Sequence, residues 1–259
     1  MNRPLIALLA CAVALPALAQ DAPADWDLVR DPAKKSVLAF TVFDVGLSVA
    51  FRCVDGSLNT VIAGLPASRQ DRRTLQLGFQ DRPPYDSLWT ATTDRTVAVG
   101  DYPAMLARDF REGGSLKLTV PGGAPDGRNL RYDVELPASN GAIDEVLTSC
   151  GRPLVDPRDE IMAAIPDSGL PVGMDWARPP RPSFPNTNYA SGFVVTTCLT
   201  TPDGRLDDCV VEMEHPHDSG FGEATLRSTR RARLRNTAQP GQPVPPQLVS
   251  FRTNFRQPQ

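Results

Sequence analysis

The residues of this chain best suited to metal binding or nucleophilic chemistry are five cysteines and two histidines. Both histidines, His215 and His217, lie in one polar loop on either side of Pro216. Alternate histidines in a turn could hold a metal ion, but no further ligand motif accompanies them. No Cys-x-x-Cys spacing indicates redox chemistry. We therefore predict no metal site, no cofactor and no cofactor-binding residue.

The sequence also lacks the motifs of common enzyme classes. It has no Gly-x-Ser-x-Gly, no Ser-x-x-Lys, no phosphate loop and no dinucleotide fingerprint. A His-dependent triad has few places to form, because both histidines lie in one loop. We predict no catalytic residue and no enzyme activity, and the alternative left open is an envelope hydrolase that uses carboxylates of the N-terminal domain.

The first residues have the pattern of a secretory signal. Arg3 precedes an apolar stretch, Leu5–Leu15, and Ala17-Leu18-Ala19 follows as a small-x-small cleavage site. We predict a signal peptide over residues 1–19, with cleavage after Ala19. The alternatives are an uncleaved N-terminal anchor and a lipoprotein with its lipid on Cys11.

Export leaves four cysteines in an oxidising compartment, which favours two disulfides. Cys198 and Cys209 flank an Asp203-Gly204 turn, and a hairpin centred there places them opposite each other on neighbouring strands. By elimination, Cys53 pairs with Cys150. We predict that both bonds stabilise the fold and take no part in catalysis.

Composition narrows the class of protein further. The chain has 259 residues, a formal net charge of −3 and 22% charged residues. These values are typical of a folded protein with one or two domains, and no basic excess indicates a nucleic-acid partner. We predict no nucleic-acid binding.

Short strands bounded by turn residues fill residues 20–150, the predicted N-terminal domain. Two helices are predicted there, Pro103–Arg111 with Asp101 as its cap and Ala142–Ser149. The predicted strands are Val37–Phe43, Leu47–Cys53, Leu58–Ala63, Thr74–Phe79, Leu88–Thr92, Thr96–Val99, Ser115–Val120 and Leu130–Leu136.

Residues 151–185 are rich in proline, which predicts a semi-rigid extended linker. Residues 186–259 then give strands Phe193–Thr200 and Leu206–Glu214, a helix from Phe221 to about Leu234, and a last strand, Gln247–Arg256. The predicted fold class is therefore α+β: an N-terminal, mainly antiparallel β domain with two short helices, the linker, and a C-terminal β-β-α-β domain with one sheet face and one edge free.

The C-terminal residues resemble the TonB carboxy-terminal domain family, the periplasmic end of energy transducers that reach outer-membrane receptors. The match spans about residues 182–256. It is carried by Phe184-Pro185, Gly192-Phe193-Val194-Val195, Asp203-Gly204-Arg205-Leu206, Phe221-Gly222-Glu223-Ala224, Arg230-Arg231-Ala232-Arg233-Leu234 and Gly241-Gln242-Pro243-Val244, followed by a strand that ends in Phe255.

The chain departs from this family at several positions. Family members usually have an aromatic residue where Ala232 stands and often a proline where Asn236 stands. Transducers also carry an uncleaved N-terminal helix with Ser and His that couples to a motor, and Leu5–Leu15 has neither residue. The resemblance therefore supports a binding module more than energy transduction.

The resemblance implies a periplasmic protein that binds a partner segment by strand addition, with the last strand as the docking edge. The predicted partner is a protein or peptide segment, with an outer-membrane receptor as one candidate. Arg252 and Arg256 would favour an acidic partner strand or simply be solvated. The predicted edge comprises Val249, Ser250, Phe251, Arg252, Thr253, Asn254, Phe255 and Arg256.

A second surface is the predicted basic end of the last helix, formed by Arg227, Arg230, Arg231, Arg233 and Arg235. A solvated face is the simplest interpretation, and binding to peptidoglycan or to a membrane surface is the alternative. For the whole protein, the alternative function is a structural or secretion-accessory envelope protein without energy transduction.

Overall fold

The structure, a computed structural model, describes residues 25–80 and 82–257; the predicted signal peptide, Ala19 and Cys11 lie outside the described residues. The strands are β1 Asp27–Asp31, β2 Ser36–Val42, β3 Ser48–Val54, β4 Ser57–Ala63, β5 Arg72–Phe79, β6 Tyr85–Ala91, β7 Ala98–Gly100, β8 Gly114–Val120, β9 Leu130–Leu136, β10 Met174–Arg178, β11 Ser191–Thr200, β12 Leu206–His215, β13 Arg233–Asn236 and β14 Leu248–Arg256. The helices are α1 Pro103–Phe110, α2 Gly141–Ser149, α3 Asp159–Ala163 and α4 Phe221–Thr229.

The N-terminal half forms one nine-stranded antiparallel sheet in the order β1-β2-β3-β4-β7-β6-β5-β8-β9. Alternate residues of each strand face a common core that also receives α1 and α2. Phe110 of α1 lies at the centre of this core, edge to face against Phe51 at 5.4 Å and Phe79 at 5.1 Å between ring centroids. The aromatic contacts hold α1 firmly on the sheet.

The disulfide between Cys53 and Cys150 joins β3 to the residue after α2, across a sequence separation of 97. Cys198 and Cys209 form the second disulfide, with their Cα atoms 4.1 Å apart. Both pairings expected from the sequence are therefore present. Closing the longer loop reduces the entropy of the unfolded chain by an amount worth roughly 4–5 kcal/mol in the chain-entropy model.

The hairpin of β11 and β12 brings Cys198 and Cys209 together, but its turn differs from the predicted one. Its turn is closed by Thr201 and Arg205, so it centres on Asp203 and not between Asp203 and Gly204. This shifts the pairing near the turn to Thr200 opposite Leu206. An irregularity at Asp208, which has φ +45°, then restores the expected register at Thr197 and Val210.

The C-terminal half forms a three-stranded sheet in the order β12-β11-β14. One face packs against α4, where Phe221 stacks on Phe255 with ring centroids 4.3 Å apart. The same side carries a two-stranded sheet made of β10 and β13. Trp176 of β10 contacts Phe251 of β14 edge to face at 5.6 Å, which joins the small sheet to the larger one.

The predicted α+β class is wrong, because the residues that the structure describes form mainly antiparallel β-sheet, with 41% in strands, 15% in helices and four short α-helices. The predicted helix from Phe221 to about Leu234 ends at Thr229, and Arg233–Asn236 pairs as β13 with β10 instead. Strands β1 and β10 have no counterpart among the predicted strands. No helix in the described range is both long and apolar enough to cross a membrane.

The sheet face expected to be free is covered by the N-terminal half. Phe193, Val195 and Leu248 on this face pack with Tyr102 and Met105 around α1. Met162 of α3 and Met213 of β12 complete the cluster, and all of its core residues are buried. The two halves therefore share an apolar interface. Their division into separately folding domains stays a prediction.

Residues 151–185 pack on both halves and do not form a plain extended spacer. Arg108 of α1 forms a two-pronged ion pair with Asp159, and its Nη1 donates to the carbonyl of Pro153 at 3.1 Å. Arg158 lies 3.4 Å from the buried Glu212 of β12. These contacts fix the start of the segment between the two sheets.

Candidate functional site

The predicted docking strand is present as β14, and its odd-numbered residues point towards α4 and the small sheet. Val249 and Phe255 are buried there, and Phe251 and Thr253 are half-buried. These side chains fix β14 to the body of the protein. They are therefore not available to a partner, although they belong to the predicted edge.

The even-numbered residues of β14 face the N-terminal half. Ser250 is buried and accepts a hydrogen bond of 2.6 Å from the Tyr102 hydroxyl. The Arg252 guanidinium donates to Thr90 at 2.7 Å and to Asp101 at 3.1 Å. Its Cζ also lies 3.5 Å from the centroid of the Phe193 ring. Arg252 is therefore a bridge inside the molecule.

Burial sets the electrostatics of this contact. It raises the pKa of Tyr102 to about 12, and the hydrogen bond to Ser250 opposes the shift. Burial likewise lowers the pKa of Arg252, while the Asp101 carboxylate opposes that effect. The expected roles of Arg252, a solvated charge or a contact to an acidic partner, do not fit its position, because only 12% of the side chain is exposed.

The outer edge of β14 offers main-chain hydrogen-bonding groups. Successive residues of a strand direct these groups to alternate edges, and β14 pairs with β11 without a bulge from Leu248 to Arg256. Since the Ser250 amide points away from β11, Arg252, Asn254 and Arg256 also present their groups outwards. Within the described residues, none of these three outward positions has a main-chain hydrogen bond. Asn254 and Arg256 are exposed.

The inner part of the same edge is occupied by residues 166–171. The Ser250 amide donates to the carbonyl of Gly169 at 2.8 Å. Gly169 has φ +75°, and a Cβ atom there would overlap the Ser250 carbonyl oxygen, so only glycine allows this close approach. The open edge therefore begins at Arg252 and extends to Arg256.

The other groups singled out from the sequence lie apart from this edge. The His215 ring packs near Phe193, with centroids 5.6 Å apart. Among the residues that the structure describes, no group of three or more His, Cys, Asp or Glu side chains is arranged to hold a metal. Of the predicted basic helix end, Arg227 lies on α4, and Arg233 and Arg235 lie on β13.

Asp109 is the carboxylate of the N-terminal half that burial perturbs most clearly. Burial raises the pKa of Asp109, while the Tyr85 hydroxyl at 2.6 Å and Arg82 at 2.9 Å oppose that effect. The cavity beside Tyr85 has a volume of about 10 Å³, room for no more than about one water molecule. Asp109 therefore links α1 to β6 through the Tyr85 hydroxyl.

Comparison with solved structures gives two weak matches. The first is the solution NMR structure of Pseudomonas aeruginosa TonB CTD, with 19% identity, a TM-score of 0.29, and coverage of 33% of this chain and 88% of that chain. The second is the crystal structure of invasion associated protein b from Bartonella henselae, with 14% identity, a TM-score of 0.35, and coverage of 49% and 95%. No family model matches the chain, and no curated protein matches it. At these values the matches carry no assignment of function.

Several residues at this site could not be found from the sequence. Asp101 is expected to cap α1, but Tyr102 holds the cap position and Asp101 instead accepts from Arg72, Thr90 and Arg252. The contact to Arg252 spans 151 positions, and no local pattern signals such a pair. Gly169 likewise carries no sequence signal of its own, and its close approach to Ser250 is seen only in the structure.

Proposed function

We propose that this is an exported, periplasmic protein that binds an extended segment of a partner protein by strand addition along Arg252–Arg256. The single observation that carries the proposal is the row of outward main-chain groups at Arg252, Asn254 and Arg256, which have no hydrogen-bond partner within the described residues. Main-chain pairing of this kind supplies affinity with little dependence on the partner's sequence. The two disulfides support an oxidising compartment.

The geometry limits the partner's length and charge. The open edge of β14 offers about five residues to a partner segment, because the Gly169 carbonyl already accepts the hydrogen bond of the Ser250 amide. Arg252 is already paired with Asp101, so a preference for an acidic side chain is expected opposite Arg256 alone. A short, extended and weakly acidic segment fits this edge, and the periplasmic segment of an outer-membrane receptor is one such partner.

A second function is favoured by the packing between the two halves. The cluster around Tyr102 and Met105, together with the Arg252 bridge, joins the nine-stranded sheet to the C-terminal sheet. Two sheets joined in this way suit an adaptor that holds its partners at a fixed geometry in an envelope assembly. Such an adaptor needs no energy transduction, and the open edge of β14 would be its binding surface.

The test compares Asn254→Pro with Asn254→Ala. Proline removes the outward amide at position 254 and leaves the ladder to β11 intact, because position 254 does not donate to β11. Alanine removes the side chain only. A photoreactive residue at the exposed Gln257 reports binding in intact cells, and we expect the same crosslinked partner with Asn254→Ala as with the unchanged protein, and loss of that partner with Asn254→Pro.

Amide hydrogen exchange on the purified complex provides the second measurement. Partner binding should slow the exchange of the Arg252, Asn254 and Arg256 amides and leave the exchange of the β14 amides that face β11 unchanged. Equal crosslinking by the proline and alanine variants, with both folded and exported, would rule out strand addition at this edge.

A further inference from the structure

A separate surface of the molecule is a groove of about 640 Å³ between α4 and residues 177–183. Its lining is basic and hydroxylated, with no acidic side chain, and its floor includes the buried Ala224. The charged and hydroxyl side chains that line it are Arg178, Arg181, Ser183, Arg227, Ser228, Arg230 and Arg231.

The proline-rich rim of the groove is held at both ends. At its start, β10 pairs with β13, which places Arg178 opposite Arg233. The far end of that rim is anchored by Phe184, whose ring lies edge to face on Phe221 of α4 at 5.5 Å. Pro179 and Pro182 between these anchors restrict the backbone to extended conformations. The arginines are therefore presented on a preorganised frame.

Most of these arginines have no ion-pair partner among the described residues. In the part of the chain that the structure describes, Arg178, Arg181, Arg230 and Arg231 form no ion pair, whereas Arg227 pairs with Glu223 one turn earlier on α4. Elsewhere arginines such as Arg111 and Arg158 are neutralised by neighbouring carboxylates. Four uncompensated guanidinium groups facing one concave surface repel one another, so a bound anion would relieve that repulsion.

We propose that this groove binds a ligand that carries two phosphate groups. The net charge of the five lining arginines and Glu223 is +4. Each phosphate monoester supplies about −1.5 to −2 at neutral pH, so two phosphates neutralise the groove, whereas carboxylates would need four groups in the same volume. Planar guanidinium groups bind phosphate oxygens in pairs, and Ser183 and Ser228 add hydroxyl donors. The ligand is a soluble diphosphate or the headgroup of a phosphorylated lipid.

The test is calorimetric titration of the purified protein with inorganic pyrophosphate. Two double variants each remove two arginine charges, one from each rim of the groove: Arg178→Gln/Arg181→Gln and Arg230→Gln/Arg231→Gln. The matched control is Arg52→Gln/Arg131→Gln, which removes two exposed arginines of the N-terminal half that form no ion pair in the described range. We expect each groove variant to bind at least about tenfold more weakly, and the control to bind within about twofold of the unchanged protein.

Two further titrations define the ligand. Citrate should bind at least about tenfold more weakly than pyrophosphate, because its charge is spread over carboxylates. Phosphatidylcholine vesicles containing diacylglycerol pyrophosphate, whose headgroup carries two phosphate groups, distinguish the sources: groove-dependent vesicle binding indicates a lipid headgroup, and pyrophosphate binding without it indicates a soluble ligand. Absence of pyrophosphate binding, unchanged affinity in both groove variants, or equal affinity for citrate would overturn the proposal. Asn254→Pro should leave pyrophosphate affinity unchanged, which keeps this site separate from the β14 edge.

Discussion

Asp101 lies at the centre of the contact between the two halves, with only 2% of its side chain exposed. Its carboxylate accepts hydrogen bonds from Arg72 at 3.0 Å, Thr90 at 3.1 Å and Arg252 at 3.1 Å. A buried carboxylate is stable when its lone pairs are occupied by donors, and removal of one cation leaves part of its charge uncompensated. The contact is therefore sensitive to the loss of a single arginine.

The first prediction is that Arg252→Ala lowers the free energy of unfolding by about 2–4 kcal/mol. Part of the loss is the unpaired Asp101 carboxylate, and part is the packing of the guanidinium on Phe193. Urea unfolding at neutral pH measures this change in the free energy of unfolding. Arg256→Ala on the same strand is the control, since Arg256 is exposed, and it should cost less than about 0.5 kcal/mol. Equal effects of the two variants would contradict the bridging role.

The second prediction concerns the Tyr102 hydroxyl. The pKa of Tyr102 is raised to about 12 in the folded protein, whereas a tyrosine in the unfolded chain has a pKa near 10. The contribution of the neutral Tyr102 hydroxyl to the free energy of unfolding is therefore complete below pH 10 and is lost as the pH rises from about 10 through 12. Tyr102→Phe should remove one tyrosine's amplitude near pH 12 from the phenolate absorbance titration of the folded protein, whereas the contribution of Tyr85, whose pKa burial also raises well above its ordinary value, should remain. The substitution should also reduce the loss of stability over that pH range.

Tyr189→Phe, at an exposed tyrosine, is the control for this titration. That variant should retain the full amplitude near pH 12. A titration curve that keeps this full amplitude when Tyr102 is replaced would show that another group produces it.

At the scale of elements, residues 166–171 act as a strap across the inner edge of β14. Among the described residues, its main-chain hydrogen bond to the strand is the one from the Ser250 amide to the Gly169 carbonyl. Whatever displaces the strap would lengthen the open edge by one outward position. The strap thus sets where the open edge of β14 begins.

The third prediction is that Gly169→Ala lifts the strap and accelerates hydrogen exchange of the Ser250 amide by at least about tenfold, because this amide loses its acceptor. The matched control is Gly241→Ala. Gly241 has φ +84° but open space around a Cβ atom, so it shares the backbone strain without the collision. Similar exchange at Ser250 in both variants would mean that the strap does not protect the edge.

The eight predicted strands of the N-terminal half correspond to observed strands because their alternation of buried and exposed residues is regular, as in β3 with Val49, Phe51 and Cys53. The last helix was predicted too long. Residues 230–234 favour a helix by composition, yet pairing with β10 pulls Arg233–Asn236 into a strand. β10 itself lies among prolines and carries no alternation signal.

For the candidate site, the sequence located the strand but not its surroundings. The alternation in Val249, Phe251, Thr253 and Phe255 correctly placed one face against the helix. The opposite face was expected to be free, since nothing local in the sequence shows that α1 packs on it. Tertiary packing between distant segments, and not propensity, decided the role of Arg252.

At the scale of the whole molecule, the two sheets are joined by an apolar cluster, by the ion pair between Arg252 and Asp101, and by ion pairs from residues 151–185 to each half. The cluster is lined by Tyr102, Met105, Phe193 and Leu248, and α3 lies against it through Met162. Because these contacts are lost when either half unfolds, unfolding of one half lowers the stability of the other. We therefore expect the two halves to unfold together.

The fourth prediction is that the unchanged protein unfolds in one calorimetric transition and that Met105→Glu produces two. Met105 is buried at the interface, and a glutamate there would be an unpaired charge in an apolar cluster. Ile161→Glu on α3 is the control, because Ile161 is 52% exposed, and it should keep a single transition. One transition in both variants, shifted equally, would contradict the coupling of the two halves.

The bridge from Arg252 to Asp101 and Thr90 also has a mechanical consequence. Tension applied through a segment paired along β14 would load the ladder to β11 in shear, a geometry in which many hydrogen bonds resist together. Arg252 would pass the same load directly to β6 and to the end of β7 in the nine-stranded sheet. The load path therefore bypasses residues 151–185, so the length of that segment would not determine how the molecule responds to being pulled.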